Sequence, residues 1–142
     1  MANAKASFTG ESSRTPDQKR RLAATLALLA VTARRVLRFA DKFDGWTPTL
    51  GGCHQNVDRW VESHPGHKAV RGWLDVSFLA TPAARRFTAH SVVADENGDL
   101  FDVTLGSSDL ECSFILHPGS DDDFRYYALT PGEHSLEHAP SA

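Results

Sequence analysis

The hydrophobic period changes once along this chain, from helical spacing before Lys68 to alternation after it. That single change limits the fold to helices first and strands afterwards. In the first part Leu22, Leu26, Leu29, Ala33, Val36 or Leu37, and Ala40 recur at helical steps, behind a capping Thr15, Pro16 at the first helical position and Asp17 in the first turn. A long helix is predicted to about Phe43, where Asp44 and Gly45 break it. Pro48, Gly51 and Gly52 make the next stretch a loop. A shorter helix is predicted from Cys53 to Glu62, closed by Ser63, His64, Pro65 and Gly66. From Lys68 onward AVRGWLDVSFLA, RRFTAHSVVA, DLFDVTL, LECSFILH and FRYYALT read as strands, parted by ATPAA, DENGD, GSSD and PGSDDD. The expectation is an α+β domain over residues 16–130, two N-terminal helices followed by an antiparallel sheet of about five strands. Residues 1–15 read as a disordered lead-in and 131–142 as a flexible tail.

The length of 142 residues, with 41% hydrophobic and 23% charged side chains, fits one soluble globular domain. A net charge of -3 provides no overall basic field to draw the chain to nucleic acid or an acidic membrane. Two cysteines form no disulfide framework, and a reducing cytoplasm is the expected setting. Export is the alternative, because Lys19, Arg20 and Arg21 precede LAATLALLAVTA and the small residues near Ala33, in the manner of a signal segment over residues 1–33. Against it, the helical spacing continues past that point and Arg34, Arg35 and Arg38 follow. The apolar run is too short to span a bilayer.

Three side chains that suit nucleophilic catalysis stand in chain order. Cys53 opens the second helix in GGCHQNVDRWV, His90 lies in FTAHSVV, and Asp102 lies in DENGDLFDVT. Cys53 shares a helix face with Val57, Trp60 and Val61 and sits where free backbone N–H groups and the helix dipole lower a thiol pKa. The flanking Gly51 and Gly52 let a substrate backbone come close, and the same N–H groups suit an oxyanion.

The relation of His90 to Asp102 depends on one turn. With Gly98 left-handed in a bulged three-residue loop of Glu96, Asn97 and Gly98, Asp95 pairs with Asp99 and Val92 opposes Asp102. His90 and Asp102 then emerge on one face as diagonal neighbours. A two-residue turn would put them on opposite faces. Phe87, Ala89, Val93, Phe101, Val103 and Leu105 form the apolar face of this hairpin, and the other face is expected to meet the helix that carries Cys53.

The order of Cys at a helix start, His on a strand and Asp on the next strand resembles the transglutaminase-like branch of the papain-like cysteine enzymes. HSVVADENGDLFDVT looks like the His-to-Asp hairpin of that branch, with Asp102, Val103 and Thr104 where Asp-Pro-Thr is common. The likeness covers residues 51–105 and departs at Ser91 and Val92, where Ala-Trp is common. Gly51, Gly52 and Cys53 are also similar to arylamine N-acetyltransferases, though without the residue usual between the glycines and the cysteine. The frame Cys-His-x-Asn-Val, Gly-Trp, His-x-Val and Asp-Val-Thr resembles a group of small bacterial proteins. The resemblance implies a papain-like core with Cys53 as nucleophile, His90 as base and Asp102 as its orienter.

The expected chemistry is therefore thiol-dependent hydrolysis or acyl transfer at an amide, whether peptide, isopeptide or glutamine side chain. It asks for no cofactor, and a small domain without a deep pocket favours a protein or peptide substrate. Gly52 and Gln55 are candidate oxyanion donors. Asn56 either orients substrate or braces the preceding loop, and Trp73 is either core or cleft wall. Two other readings stay open. One is a non-catalytic interaction module of the same fold. The other is a small metal-binding protein using Cys53, His54, His64, His67 or Cys112, although no CxxC or HExxH frame is present. A Cys53–Cys112 disulfide would require export.

Overall fold

The computed structural model describes residues 14–38, 40–80, 84–109 and 111–139. The predicted lead-in lies almost wholly outside them. Helix α1, Pro16–Leu29, opens as its sequence predicts: Thr15 Oγ1 accepts from Gln18 N at 3.0 Å, and Gln18 Oε1 accepts from Thr15 N at 2.8 Å. This reciprocal box satisfies two amides that the first turn would otherwise leave bare. The helix stops well short of Phe43. After a 3₁₀ turn, Ala30–Thr32, the chain extends, and Arg34 exchanges both backbone hydrogen bonds with Phe114 at 2.8 and 2.9 Å. β-branched Val31 and Thr32 weaken the helix there, and pairing with a strand outbids the helical period beyond it.

Strand β1, Leu37–Arg38, follows, then a short 3₁₀ turn at Ala40–Lys42 and helix α2, Cys53–Ser63. Next come β2, Lys68–Asp75; β3, Arg85–Ala94; β4, Leu100–Asp102; and β5, Phe114–Leu116. The predicted strand FRYYALT is instead helix α3, Asp121–Leu129. Its start lies in the polar run PGSDDD, which reads as a turn by composition alone. Ser120 Oγ caps Asp123 N at 3.0 Å, and Asp121, Asp122 and Asp123 complement the helix dipole. Phe124 and Tyr127, one turn apart, then bury the same face. Part of the expected loose tail is also ordered, since β6, Ser135–His138, pairs antiparallel with β3 from Arg85 to Thr88.

The architecture is α+β, with three helices and a six-stranded mixed sheet among the described residues. The strand order is β1-β4-β3-β2-β5, with β6 also on β3. The sheet is mixed rather than antiparallel because β1 runs parallel to β4. All three helices cover one face. Ala23 and Leu26 of α1 and Phe124 and Tyr127 of α3 meet Trp73, Phe87 and Ile115, while Val57 and Trp60 of α2 meet Val93 and Val103. The opposite face, built from Leu74, Val92, Leu100 and Phe114, is closed by Val36 from the segment after α1. Gly72 lies opposite His90 in the centre of the sheet, where a Cβ would stand 2.3 Å from Ile115 O and 2.6 Å from the Phe114 ring. Only glycine lets β5 come this near. No helix among the described residues is long and apolar enough to cross a membrane.

Candidate active site

The hairpin forms by the bulged turn. Gly98 has φ +85°, Gly98 N donates to Asp95 O, and Asp95 N donates to Asp99 O, each at 3.0 Å. Asp95 Oδ1 also accepts from Asn97 N and Asp99 N, which fixes the loop from inside. The register follows as Ala94 with Leu100 and Val93 with Phe101. His90 and Asp102 therefore share a face, and His90 Nε2 meets Asp102 Oδ2 at 2.6 Å with both residues buried. Asp102 Oδ1 accepts from Thr104 N at 2.7 Å and Leu105 N at 2.8 Å, so the carboxylate also makes the turn that ends β4.

The helix that carries Cys53 does not lie on the face expected for it. Its body covers the Val93 and Val103 side of the hairpin, opposite by strand alternation to His90. Its first turn reaches the site at a gap in the sheet. β4 pairs with β3 at Val93 and Ala94 and ends at Asp102, opposite Val92, while β6 pairs from Arg85 to Thr88 and His134 O accepts from Ala89 N at 2.8 Å, so His90 and Ser91 have no strand beside them on that edge. There His54 meets Ser91, with Nδ1 2.6 Å from Oγ, and Cys53 comes under the influence of His90.

The hydrogen-bond geometry of the sulfur favours His54. Cys53 Sγ lies 3.7 Å from His54 Nδ1. Burial works to raise the thiol's pKa, but hydrogen bonding from His54 and then from His90, with their charges, outweighs it and draws the thiol down to about 6. For His90, burial works to lower the pKa, and its bonds to Asp102 and Cys53 outweigh that, pushing it up to about 10. Nε2 of His90 is the nitrogen engaged by Asp102. Both shifts favour the charged forms, thiolate at Cys53 and imidazolium at His90.

Gly52 is the buried N-cap of α2, and no side chain caps the helix there. The first-turn amides of Cys53, His54 and Gln55 precede the first helical acceptor bond, Asn56 N to Gly52 O at 2.8 Å. The Gln55 side chain is exposed. Asn56 is buried and braces the loop: it accepts from Thr49 N and donates to Thr49 O and Thr104 Oγ1, at 2.9 to 3.0 Å. That ties the loop before Cys53 to the chain just after Asp102. Trp73 is fully buried against Phe124 and Tyr127 and donates through Nε1 to His117 Nδ1, so it lines no cleft.

Ser91 and Arg71 carry no role in the sequence reading, and His54 enters it only as a candidate metal ligand. A signal was there for two of them. His54 directly follows the cysteine, and alternation turns Ser91 to the face opposite His90, the face that α2 covers. No disulfide joins Cys53 to Cys112, and no group of three or more metal-ligating side chains occurs among the described residues. His64 and His67 instead stack with Trp60, whose Nε1 donates to His67 Nδ1. Comparison with protein-family models, with curated proteins and with solved structures finds no match for this chain.

Proposed function

We propose that this protein is a thiol-dependent hydrolase or acyl transferase that acts on an amide through Cys53, His90 and Asp102, on a papain-like arrangement of helix start and hairpin. The observation that carries the reading is the buried 2.6 Å pair of His90 and Asp102, with Cys53 at a helix start that no side chain caps. In the mechanism, the thiolate of Cys53 attacks the substrate carbonyl carbon and forms a carbon–sulfur bond as the carbonyl electrons move to oxygen. First-turn amides of α2 hold that oxyanion. The intermediate collapses, the carbon–nitrogen bond breaks, and His90 Nδ1–H gives its proton to the leaving amine. Neutral His90 then takes a proton from water or an acceptor amine as it attacks the thioester, restoring thiolate and imidazolium. Asp102 holds the ring by Nε2 throughout and offsets its charge.

The substrate that fits is a protein or peptide, because the nearest cleft, lined by His54, Asp58, Arg71 and Phe124 among others, encloses only about 120 Å³. The test is a panel of peptide amides and glutamine-containing peptides carrying an electrophilic amide mimic, with adducts located by mass spectrometry. Modification of Cys53 that disappears in Cys53→Ala and falls sharply in His90→Ala is expected. Adducts spread equally over Cys53 and Cys112 would refute the reading.

A further inference from the structure

We infer that His54 is a second imidazole of the site, which shares the Cys53 thiol's proton through Nδ1 and is held in place by the string Ser91, Arg71 and Asp58. This rests on the proposed thiol chemistry and adds a group to it. The distances form a continuous path. Asp58 Oδ1 accepts from Arg71 Nη2 at 2.7 Å, Arg71 Nη1 donates to Ser91 Oγ at 2.9 Å, Ser91 Oγ lies 2.6 Å from His54 Nδ1, and Nδ1 lies 3.7 Å from Cys53 Sγ. Arg71 and Ser91 are directly opposite on β2 and β3, which makes their bond a cross-strand pair rather than a chance surface contact.

The donor inventory dictates what each member does. A guanidinium only donates, so Ser91 Oγ must accept from Arg71 and keeps one proton and one lone pair for His54. A hydroxyl placed so works in both directions. When Nδ1 is bare, Ser91 donates to it; when Nδ1 carries a proton, Ser91 accepts that proton's hydrogen bond. Nδ1 has one lone pair, so His54 takes the thiol proton when the Ser91 hydroxyl turns its own proton away: S–H breaks, Nδ1–H forms, the electron pair stays on sulfur, and Ser91 Oγ then accepts from Nδ1–H. His90 has no such freedom at Nε2, where Asp102 accepts throughout. The two imidazoles are thus held by different chemistry, one by a carboxylate and one by a hydroxyl.

The charged and titratable groups around His54 are Cys53 and Asp58 on its own helix, Arg71 on β2, and Asp121 and Arg125 on α3 across the shared cleft. Phe124 meets the ring at right angles, 5.6 Å between centres, which keeps it from swinging away from the thiol. His54 thereby lines the cleft while its Nδ1 lies 3.7 Å from the sulfur.

The test is the pH dependence of iodoacetamide labelling of Cys53 in the full chain, followed by peptide mass spectrometry in wild type, His54→Ala, Ser91→Ala and His90→Ala. The midpoint, not the amplitude, is the readout, because a smaller side chain at 54 also widens access. His54→Ala is expected to raise the midpoint by about one pH unit, which is about a tenfold loss of thiolate below it. Ser91→Ala, which keeps the imidazole but removes its hydroxyl anchor and fits the buried site, is expected to raise it by less. Unchanged midpoints in both variants, with native circular dichroism, overturn the inference; an unchanged Ser91→Ala alone overturns the string. If His90→Ala shifts the midpoint and His54→Ala does not, this inference fails and the triad stands. If only His54→Ala shifts it, the triad fails instead.

Discussion

Asp102 serves His90 with one carboxylate oxygen and its own turn with the other: Oδ2 lies 2.6 Å from His90 Nε2, while Oδ1 accepts from the amides of Thr104 and Leu105. The orienting group and the end of β4 are thus one structural unit, and substitution can separate their roles. Asp102→Asn keeps an oxygen for the two amides and loses the charge beside His90. Its fold should survive while Cys53 labelling at neutral pH drops. Asp102→Ala also strands two backbone amides and should be less stable than the asparagine variant by roughly 1–3 kcal/mol. Denaturant unfolding and labelling rates on both variants check this, and wild-type labelling in Asp102→Asn would count against a role for the carboxylate.

The pair also sets how stability follows pH. His90 is raised from 6.5 to about 10, so its stabilisation is full below pH 6.5 and is lost as pH rises through about 10. Cys53 is lowered from 9.0 to about 6, so its stabilisation is full above pH 9.0 and is lost as pH falls through about 6. Between 6.5 and 9.0 the two slopes oppose, and the contribution of the pair should be nearly flat. Cys53→Ser removes one slope. Its stability should fall with rising pH across that range relative to wild type, as read from unfolding midpoints in a pH series; a parallel curve would show that the two groups are not coupled.

The bulged turn is the geometric condition for the site. Gly98 holds φ +85°, and Gly98→Ala should cost about 1–2 kcal/mol because a Cβ disfavours the left-handed region. Deleting Asn97 should do more. A two-residue turn slips the register by one, turns Asp102 to the other face, and leaves His90 without its carboxylate. The Cys53 labelling midpoint should then move towards the ordinary thiol value; a midpoint unchanged in a folded deletion variant would show that Asp102 has no influence on the sulfur.

Asn56 tests the support beneath the nucleophile. Its three hydrogen bonds join Thr49 to Thr104, and Asn56→Ala should cost roughly 2–3 kcal/mol by leaving buried partners unmatched. Hydrogen exchange should accelerate in the loop from Thr49 to Gly52. Wild-type stability and protection would mean that the loop holds Cys53 without this brace.

The parts of the fold legible in the sequence were those decided locally. Thr15, Pro16 and Gln18 give the start of α1, and the glycine of DENGD gives the bulge and with it the His90–Asp102 pairing. What was not legible depended on distant partners. The helical spacing through Val36 and Ala40 lost to pairing between Arg34 and Phe114, and SDDDF was a helix cap beside an aromatic pair whose burial only the folded sheet reveals. The face taken by α2 was misjudged for the same reason. Alternation gives two faces to β3, but only the early ends of β4 and β6 open the gap at which the first turn of α2 meets Ser91.

The central claim, that Cys53 rests as a thiolate beside a protonated His90, is tested most directly by titrating the thiolate itself through its ultraviolet absorbance, in wild type against Cys53→Ser to isolate that one sulfur. A midpoint near 6 that rises in His90→Ala is the predicted result. A midpoint near the ordinary 9.0, indifferent to His90, would contradict it.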